Sequence, residues 1–290
     1  MVRSSLYRSG VIMSVGGALL WSIGGLGIRS VQAGPWLIIF WRSLFMTITV
    51  FIYVLVRYRS RTLKAFRCTG LEGLAVGGCL AAAFTFYVMA IVHTAVANAL
   101  ILQGTAPLLA ALFGWWFLKE KVSWVTFLLI GFAIGGAVIM LSGSVGSIMI
   151  IGDLFGLGIA LVFSASIVIV RGTRKIDMVP AACIGGVISV VVAFFMSNGA
   201  ISVSQGDLAI LAFLGRVQLG IAFCLFLSGS RHLPPAESGL ITLLETAVGP
   251  MLVWFFIGES LTTHAIIGGI AIVSVLVVRP VLLSRVVRVH

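Results

Sequence analysis

A carboxylate in the middle of an apolar run has the most to explain. Glu245 falls about ten residues into such a run, roughly 14 Å from its start at ~1.5 Å per residue. Near the middle of a bilayer a carboxylate costs at least about 2.5 kcal/mol. Ser238, Thr242, Glu245, Thr246 and Gly249 recur at helical spacing and make one polar stripe on an otherwise apolar face. A polar stripe at membrane depth must face a cavity or a protein partner. Two roles fit Glu245, and they are not exclusive: a substrate or proton site, or a structural ion pair with an intramembrane arginine.

Two arginines are buried in apolar sequence, Arg42 and Arg216. Each needs a carboxylate, a carbonyl or a substrate anion, although Arg42 is close enough to a span end to snorkel. Glu245 is the one acid at comparable depth, so at most one arginine pairs with it well. Gln218 lies two residues beyond Arg216, about 200° around a helix, so the two do not readily line one cavity wall. Gln103 occupies the position of Thr242 in the other half of the chain and is a candidate cavity amide. Trp21, Phe84 and Tyr87 lie deep enough to cover apolar substrate surface, and core packing explains them equally well. Trp115 and Trp254 sit near span ends, as interfacial anchors do. Glu120 and Glu259, beside Ser123 and Thr262, read as caps of the helices that follow. His93 and His232 read as helix-terminating residues. There is no metal-ligand spacing, no G-x-x-x-x-G-K-[S/T] and no nucleophile–base arrangement, so neither a cofactor nor an enzyme activity is expected.

These residues need a scaffold that holds them at depth. The chain has 290 residues, of which 60% are hydrophobic and 9% charged, with a mean hydropathy of +1.20. A soluble domain carries about 25% charged residues. The expected class is therefore an all-α polytopic membrane protein. Its net charge of +11 lies between apolar segments, which argues for loop charge and against nucleic acid as a partner. Cys68, Cys79, Cys183 and Cys224 form no cluster and read as small packing residues. Met1–Leu20 has basic residues ahead of an apolar run, like a signal peptide. The apolar continuation to Ile28 instead reads as an uncleaved first span. Ten spans are expected: Ser9–Ile28, Pro35–Val56, Leu71–Val92, Ala95–Leu118, Trp124–Leu141, Asp153–Val170, Pro180–Ser197, Asp207–Ser230, Pro235–Ile257 and Thr263–Leu282. With both termini in the cytoplasm, inner segments collect sixteen of the 19 basic residues and outer segments only Arg29.

The chain also repeats itself. His93, Ala97, Trp115 and Glu120 recur 139 positions later as His232, Ala236, Trp254 and Glu259. The first helix matches more loosely, with Arg29 against Arg171 at an offset of 142. Two repeats are expected, 1–145 and 146–290. Five spans in each force the second to insert inverted, an arrangement typical of secondary transporters with a midplane site. Gly73/Gly77, Gly131/Gly135 and Gly152/Gly156 are spaced for close helix packing. Gly131/Gly135 with Gly268–Gly269 form an alternative dimer seam, so monomer and homodimer both stay open.

The chain resembles the drug/metabolite transporter superfamily with two EamA-type repeats. The marks are Trp21-Ser22, Pro35 with Trp41-Arg42, Thr105-Ala106-Pro107 through Lys119-Glu120, Gly215-x2-Gln218-Leu219-Gly220, Leu244-Glu245 with Pro250, and Gly258-Glu259. The resemblance implies a 5+5 inverted repeat in a bacterial cytoplasmic membrane. It also implies a central cavity and alternating access, commonly exporting amino acids, related metabolites or amphiphilic compounds. The chain departs from it at Glu245-Thr246, where the family often has Glu-Pro and a helix break, and at Arg216. The site expected is Glu245, Gln103, Thr242, Gln218, Trp21, Phe84, Tyr87, Arg42 and Arg216. The alternatives to a proton-coupled exporter are an uncoupled facilitator and a structural or sensory subunit without transport. If Glu245 carries the coupling proton, transport by Glu245→Gln loses its pH dependence. An unchanged rate and pH profile would make Glu245 structural.

Overall fold

A chain this apolar can satisfy its backbone in a bilayer only by forming helices or a closed barrel. It forms helices. The computed structural model describes residues 2–119, 124–173, 177–230, 232–233, 235–260 and 262–287. The described residues form thirteen α-helices. In the first half these are α1 (Val2–Ser22), α2 (Gly24–Arg29), α3 (Pro35–Tyr58), α4 (Thr62–His93), α5 (Val96–Gln103), α6 (Ala106–Leu118) and α7 (Trp124–Ser142). In the second half they are α8 (Met149–Gly172), α9 (Val179–Met196), α10 (Gln205–Phe213), α11 (Ala222–Ser230), α12 (Pro235–Ile257) and α13 (Thr263–Val287). A π-helical stretch, Leu214–Ile221, joins α10 to α11. Glu120, Ser123 and the Ser238 side chain lie outside the described residues.

The expected spans lie mostly on helix, with breaks at Ile23 and at Gly104-Thr105 inside two of them. By length and composition seven helical runs qualify as membrane-crossing, and one of them, Pro35–His93, is 59 residues long. Straight, it would reach about 90 Å, some three times the ~30 Å hydrocarbon core. A 3₁₀ turn at Arg59–Arg61, entered with Arg59 at φ +48°, folds it into two.

The breaks inside helices follow local chemistry. Pro107 opens α6, and Gly104-Thr105 separates it from α5. The matching stretch of α12 has no such interruption: helix continues through Glu245-Thr246 and past Pro250. With Thr246 in place of a proline, no backbone donor is lost there.

Helices of the first half pack chiefly on helices of the second. α4 lies against α8 and α9, α3 against α9 and the π stretch, α1 against α11 and α12, and α7 against α13. Glycines allow the closest approaches. A Cβ at Gly152 would lie 2.5 Å from the Thr94 amide nitrogen, and one at Gly136 would lie 2.8 Å from the Gly268 carbonyl oxygen. Gly268 and Gly269 are thus used inside the protomer, against Gly136 and Ile101, and not as a free seam. Nothing lies within 4 Å of a Cβ at Gly131 or Gly135. Gly152→Ala should therefore lose about 1–3 kcal/mol, read as a lower melting temperature in detergent. Gly78→Ala, with open space at its Cβ, should be neutral or slightly stabilising by helix propensity.

Candidate functional site

The centre of the site is an arginine without a carboxylate. Arg42, on α3, is 3% exposed, so it does not snorkel. Its guanidinium stacks over the Tyr87 ring of α4, 5.0 Å from the centroid. One Nη2 hydrogen donates to the Gln218 side-chain oxygen at 3.3 Å, and Nε has no hydrogen-bond partner. Gln218 in turn donates to the Trp21 carbonyl at 3.2 Å. The π-helical stretch is what brings Gln218 here. π-turns are wide and recur at functional sites. This one also sets Gly215 directly on α3, where a Cβ would lie 2.6 Å from the Arg42 carbonyl oxygen. On the other side, Gly24 ends the break between α1 and α2. A Cβ there would meet Gln218 Nε2 and the Tyr87 hydroxyl, both at 2.7 Å.

Glu245 forms the second part. Gln103 of α5 donates to its carboxylate at 3.4 Å, while the Gln103 oxygen has no partner. Glu245 is enclosed by protein yet keeps partial exposure, as do Gln103 and Thr242. Its helix face is directed inward: a Cβ at Gly249, one turn on, would strike Leu100 of α5. Arg42, Tyr87 and Glu245 lie within Coulombic reach of one another, without a direct ion pair between Arg42 and Glu245. A guanidinium and an acidic side chain are thus enclosed together, near but without a direct pair. Four buried polar atoms of this group lack hydrogen-bond partners: Arg42 Nε, Tyr87 Oη, Trp21 Nε1 and Gln103 Oε1. Buried polar atoms are normally satisfied, and each left open costs about 1–3 kcal/mol.

The expected residues do not all meet. Arg216 is exposed, with its guanidinium 4.8 Å from the Phe45 ring, and takes no part in the group. The stretch turns Gln218 inward and Arg216 outward, and the aromatic face offers the cation a partner at the surface. Phe84 is buried in an apolar cluster with Met46, Leu80 and Leu219. The Trp21 ring packs on Phe226 at 5.0 Å. His93 ends α4, its Nδ1 hydrogen-bonded to the Met89 carbonyl oxygen at 2.8 Å.

A second polar network was not expected from the residues alone. Asp153 of α8 is fully buried and accepts from Thr94 Oγ1 at 2.6 Å, Ser144 Oγ at 2.5 Å and Asn98 Nδ2 at 3.2 Å. Beside it, Arg29 donates to the Thr94 carbonyl at 2.8 Å and faces Glu259 at 3.5 Å. Glu259 does not cap the helix that follows it; Thr262 does, accepting from the Ala265 amide at 3.2 Å. Glu259 accepts instead from the Val96 amide at the start of α5, at 2.9 Å. The signal available was small: Arg29 is the lone basic residue of the segments expected outside, and Glu259 ends a span expected to finish on that side.

Long apolar helices with polar side chains enclosed among them, as the described residues form, define the class, a polytopic helical membrane protein. The chain matches the EamA-like transporter family over residues 8–142 and again over 150–278, and it belongs to that family. It is 24% identical over 228 residues to an uncharacterized transporter of Clostridium kluyveri, a match covering 72% of this chain and 73% of the relative. A crystal structure of a protein 19% identical shares the fold, with a TM-score of 0.66 over 95% of this chain and 98% of that one.

Arg42→Lys should impair the site although it keeps the charge, because an ammonium cannot stack flat and hydrogen-bond as a fork. Solute binding should fall by an order of magnitude or more, by the ~1.4 kcal/mol per tenfold rule, while the melting temperature changes little. Unchanged affinity in Arg42→Lys would reduce Arg42 to a point charge.

Proposed function

We propose that this EamA-family transporter is a secondary exporter of small organic metabolites, with amino-acid-like zwitterions as its first substrate class. One observation carries the reading: Arg42 and Glu245 are enclosed together without pairing, beside polar atoms that have no partner. A solute carboxylate would be received by Arg42, Tyr87 and Gln218, and a solute ammonium by Glu245 and Gln103, with Thr242 at the rim. Ligand charge would then replace the ion pair that the protein does not make. Binding of this kind offsets the cost of burying each charge only when both partners are present. Trp21 would cover apolar surface, and Phe84 would support Tyr87 from the core. Alternating access between two inverted halves moves the site from one face to the other, with Glu245 as the group available to exchange a proton. An uncoupled facilitator uses the same site and differs in having no pH-driven accumulation.

The arrangement in the membrane belongs to the same proposal: ten crossings in a cytoplasmic membrane, repeats at 1–145 and 146–290, and both termini on the cytoplasmic side. A C-terminal green fluorescent protein fusion should fluoresce and a C-terminal alkaline phosphatase fusion should be inactive. The reverse pattern would invert the orientation.

The experiment for substrate class is counterflow in proteoliposomes with a pooled amino-acid and metabolite panel read by mass spectrometry. Selective exchange of zwitterions is expected, lost in Glu245→Gln. Exchange confined to apolar or singly charged compounds would contradict the reading.

A further inference from the structure

Away from Arg42 and Glu245, a second group of polar side chains is sealed inside the protein. Asp153 of α8, Thr94 of the α4–α5 junction, Asn98 of α5 and Ser144 of the α7–α8 connection are each at most 3% exposed. Thr94 Oγ1 and Asn98 Nδ2 donate to Asp153 Oδ1 at 2.6 and 3.2 Å, and Ser144 Oγ donates to Asp153 Oδ2 at 2.5 Å. Three separate stretches of chain therefore converge on one carboxyl group. Gly152 lets them meet, since a Cβ there would lie 2.5 Å from the Thr94 amide nitrogen. Among the described residues no basic side chain pairs with Asp153. Arg29 reaches the same junction, but it is engaged by the Thr94 carbonyl and by Glu259.

One atom of the cluster has no use within the protein. Asn98 Oδ1 is buried and has no hydrogen-bond partner, although buried amide oxygens are ordinarily paired. A half-turn of the amide brings this oxygen to face Asp153 in place of the nitrogen. Oxygen facing carboxylate is repulsive unless a cation lies between them. With a cation there, the donor set becomes two carboxylate oxygens, two hydroxyls and one amide oxygen. Sets made only of oxygen suit hard cations, and a hydroxyl keeps two lone pairs for such an ion besides its hydrogen. Charge narrows the choice. One carboxylate balances one positive charge, whereas a divalent ion would leave charge uncompensated in a buried site. Among the described residues no three His, Cys, Asp or Glu side chains gather, as a zinc site would require. The short spacings favour a small ion. α4 also ends at His93, beside Thr94, and a helix C-terminus is the negative end of the macrodipole. Ends of broken helices hold sodium in other transporters.

We propose that Asp153, Thr94, Ser144 and Asn98 form a binding site for a sodium ion. Thr94 also lines a pocket of about 420 Å³, together with Arg29, His93, Met149 and Glu259, which gives the ion an approach. Arg29 and Glu259 face each other there at 3.5 Å, so the mouth offsets its own cation. A bound ion would tie the start of α8 to α5. Gln103, which donates to Glu245 at 3.4 Å, lies at the far end of α5. On the proposed function, sodium is felt at the solute site through that one short helix, and solute binding becomes sodium-dependent. This last consequence rests on the solute reading, whereas the ion site stands on its own donor set.

The test uses the purified full-length chain in detergent with no solute present, so its failure and that of the substrate class are separate results. Melting is followed at fixed pH and ionic strength in sodium, potassium or choline chloride. Sodium should raise the melting temperature by several degrees in a saturable way, because an ion that binds only the folded chain stabilises it. Potassium and choline should not. Asp153→Asn should abolish the sodium response. Ser144→Ala removes a single ligand and should need about tenfold more sodium for the same shift. Radiosodium binding at equilibrium should reach one ion per chain and be lost in Asp153→Asn. Should Asp153→Asn fail to fold, Ser144→Ala decides. An equal shift in all three salts, a sodium response unchanged in Ser144→Ala, or stabilisation that follows pH and ignores sodium would overturn the site.

Discussion

The burial of Arg42 without a carboxylate constrains everything around it. A guanidinium has five donors and cannot shed its charge, so its surroundings must supply acceptors and an aromatic face. They come from α4 and the π-helical stretch, one element from each half of the chain. The glycines Gly24 and Gly215 let backbones approach closely enough for those groups to reach it. The neighbouring carboxylate, Glu245, is held on a different helix and bonded to Gln103 instead. On the proposed reading, a direct ion pair between the two would satisfy both and leave nothing for a solute.

That separation is a product of the fold. α12 carries Glu245 on an unbroken helix, while its counterpart in the first half breaks at Gly104-Thr105 just after Gln103. The two halves are alike in topology and unlike at the site. One supplies the buried cation, and the other supplies the carboxylate and the amide that lies on the cation. The site belongs to the interface between repeats. Relative motion of the halves would change the distance between the charges as well as access to them.

The sequence makes much of this readable. Glu245, Arg42 and Gln218 stand out because polar groups are expensive in apolar runs and must have partners. The repeat is visible as His, Ala, Trp and Glu at a constant offset, and the family motif follows from it. Partner choice is much less readable. Arg42 and Arg216 look alike in sequence, but α3 holds Arg42 inward against Tyr87 and Gln218, whereas the π-helical stretch leaves Arg216 at the surface. Asp153 stands at the first residue of an expected span, where a carboxylate is ordinary, and its hydrogen-bond partners Thr94 and Asn98 come from the α4–α5 junction and the start of α5. Glu259 resembles a cap of the next helix. Its actual partners, Arg29 and Val96, are more than 160 positions away. Local spacing carries none of that, because these contacts are set by how the two halves cross.

The central claim is that the cation and the carboxylate are kept apart to receive a solute carrying both charges. The most direct measurement is equilibrium binding to the purified protein, by isothermal titration, of amino acids beside their methyl esters and N-acetyl derivatives. Heat of binding is expected for a free amino acid, with both derivatives binding at least tenfold more weakly, since each forfeits one charge partner worth more than ~1.4 kcal/mol. Equal binding of the ester, the acetyl derivative and the parent would contradict it.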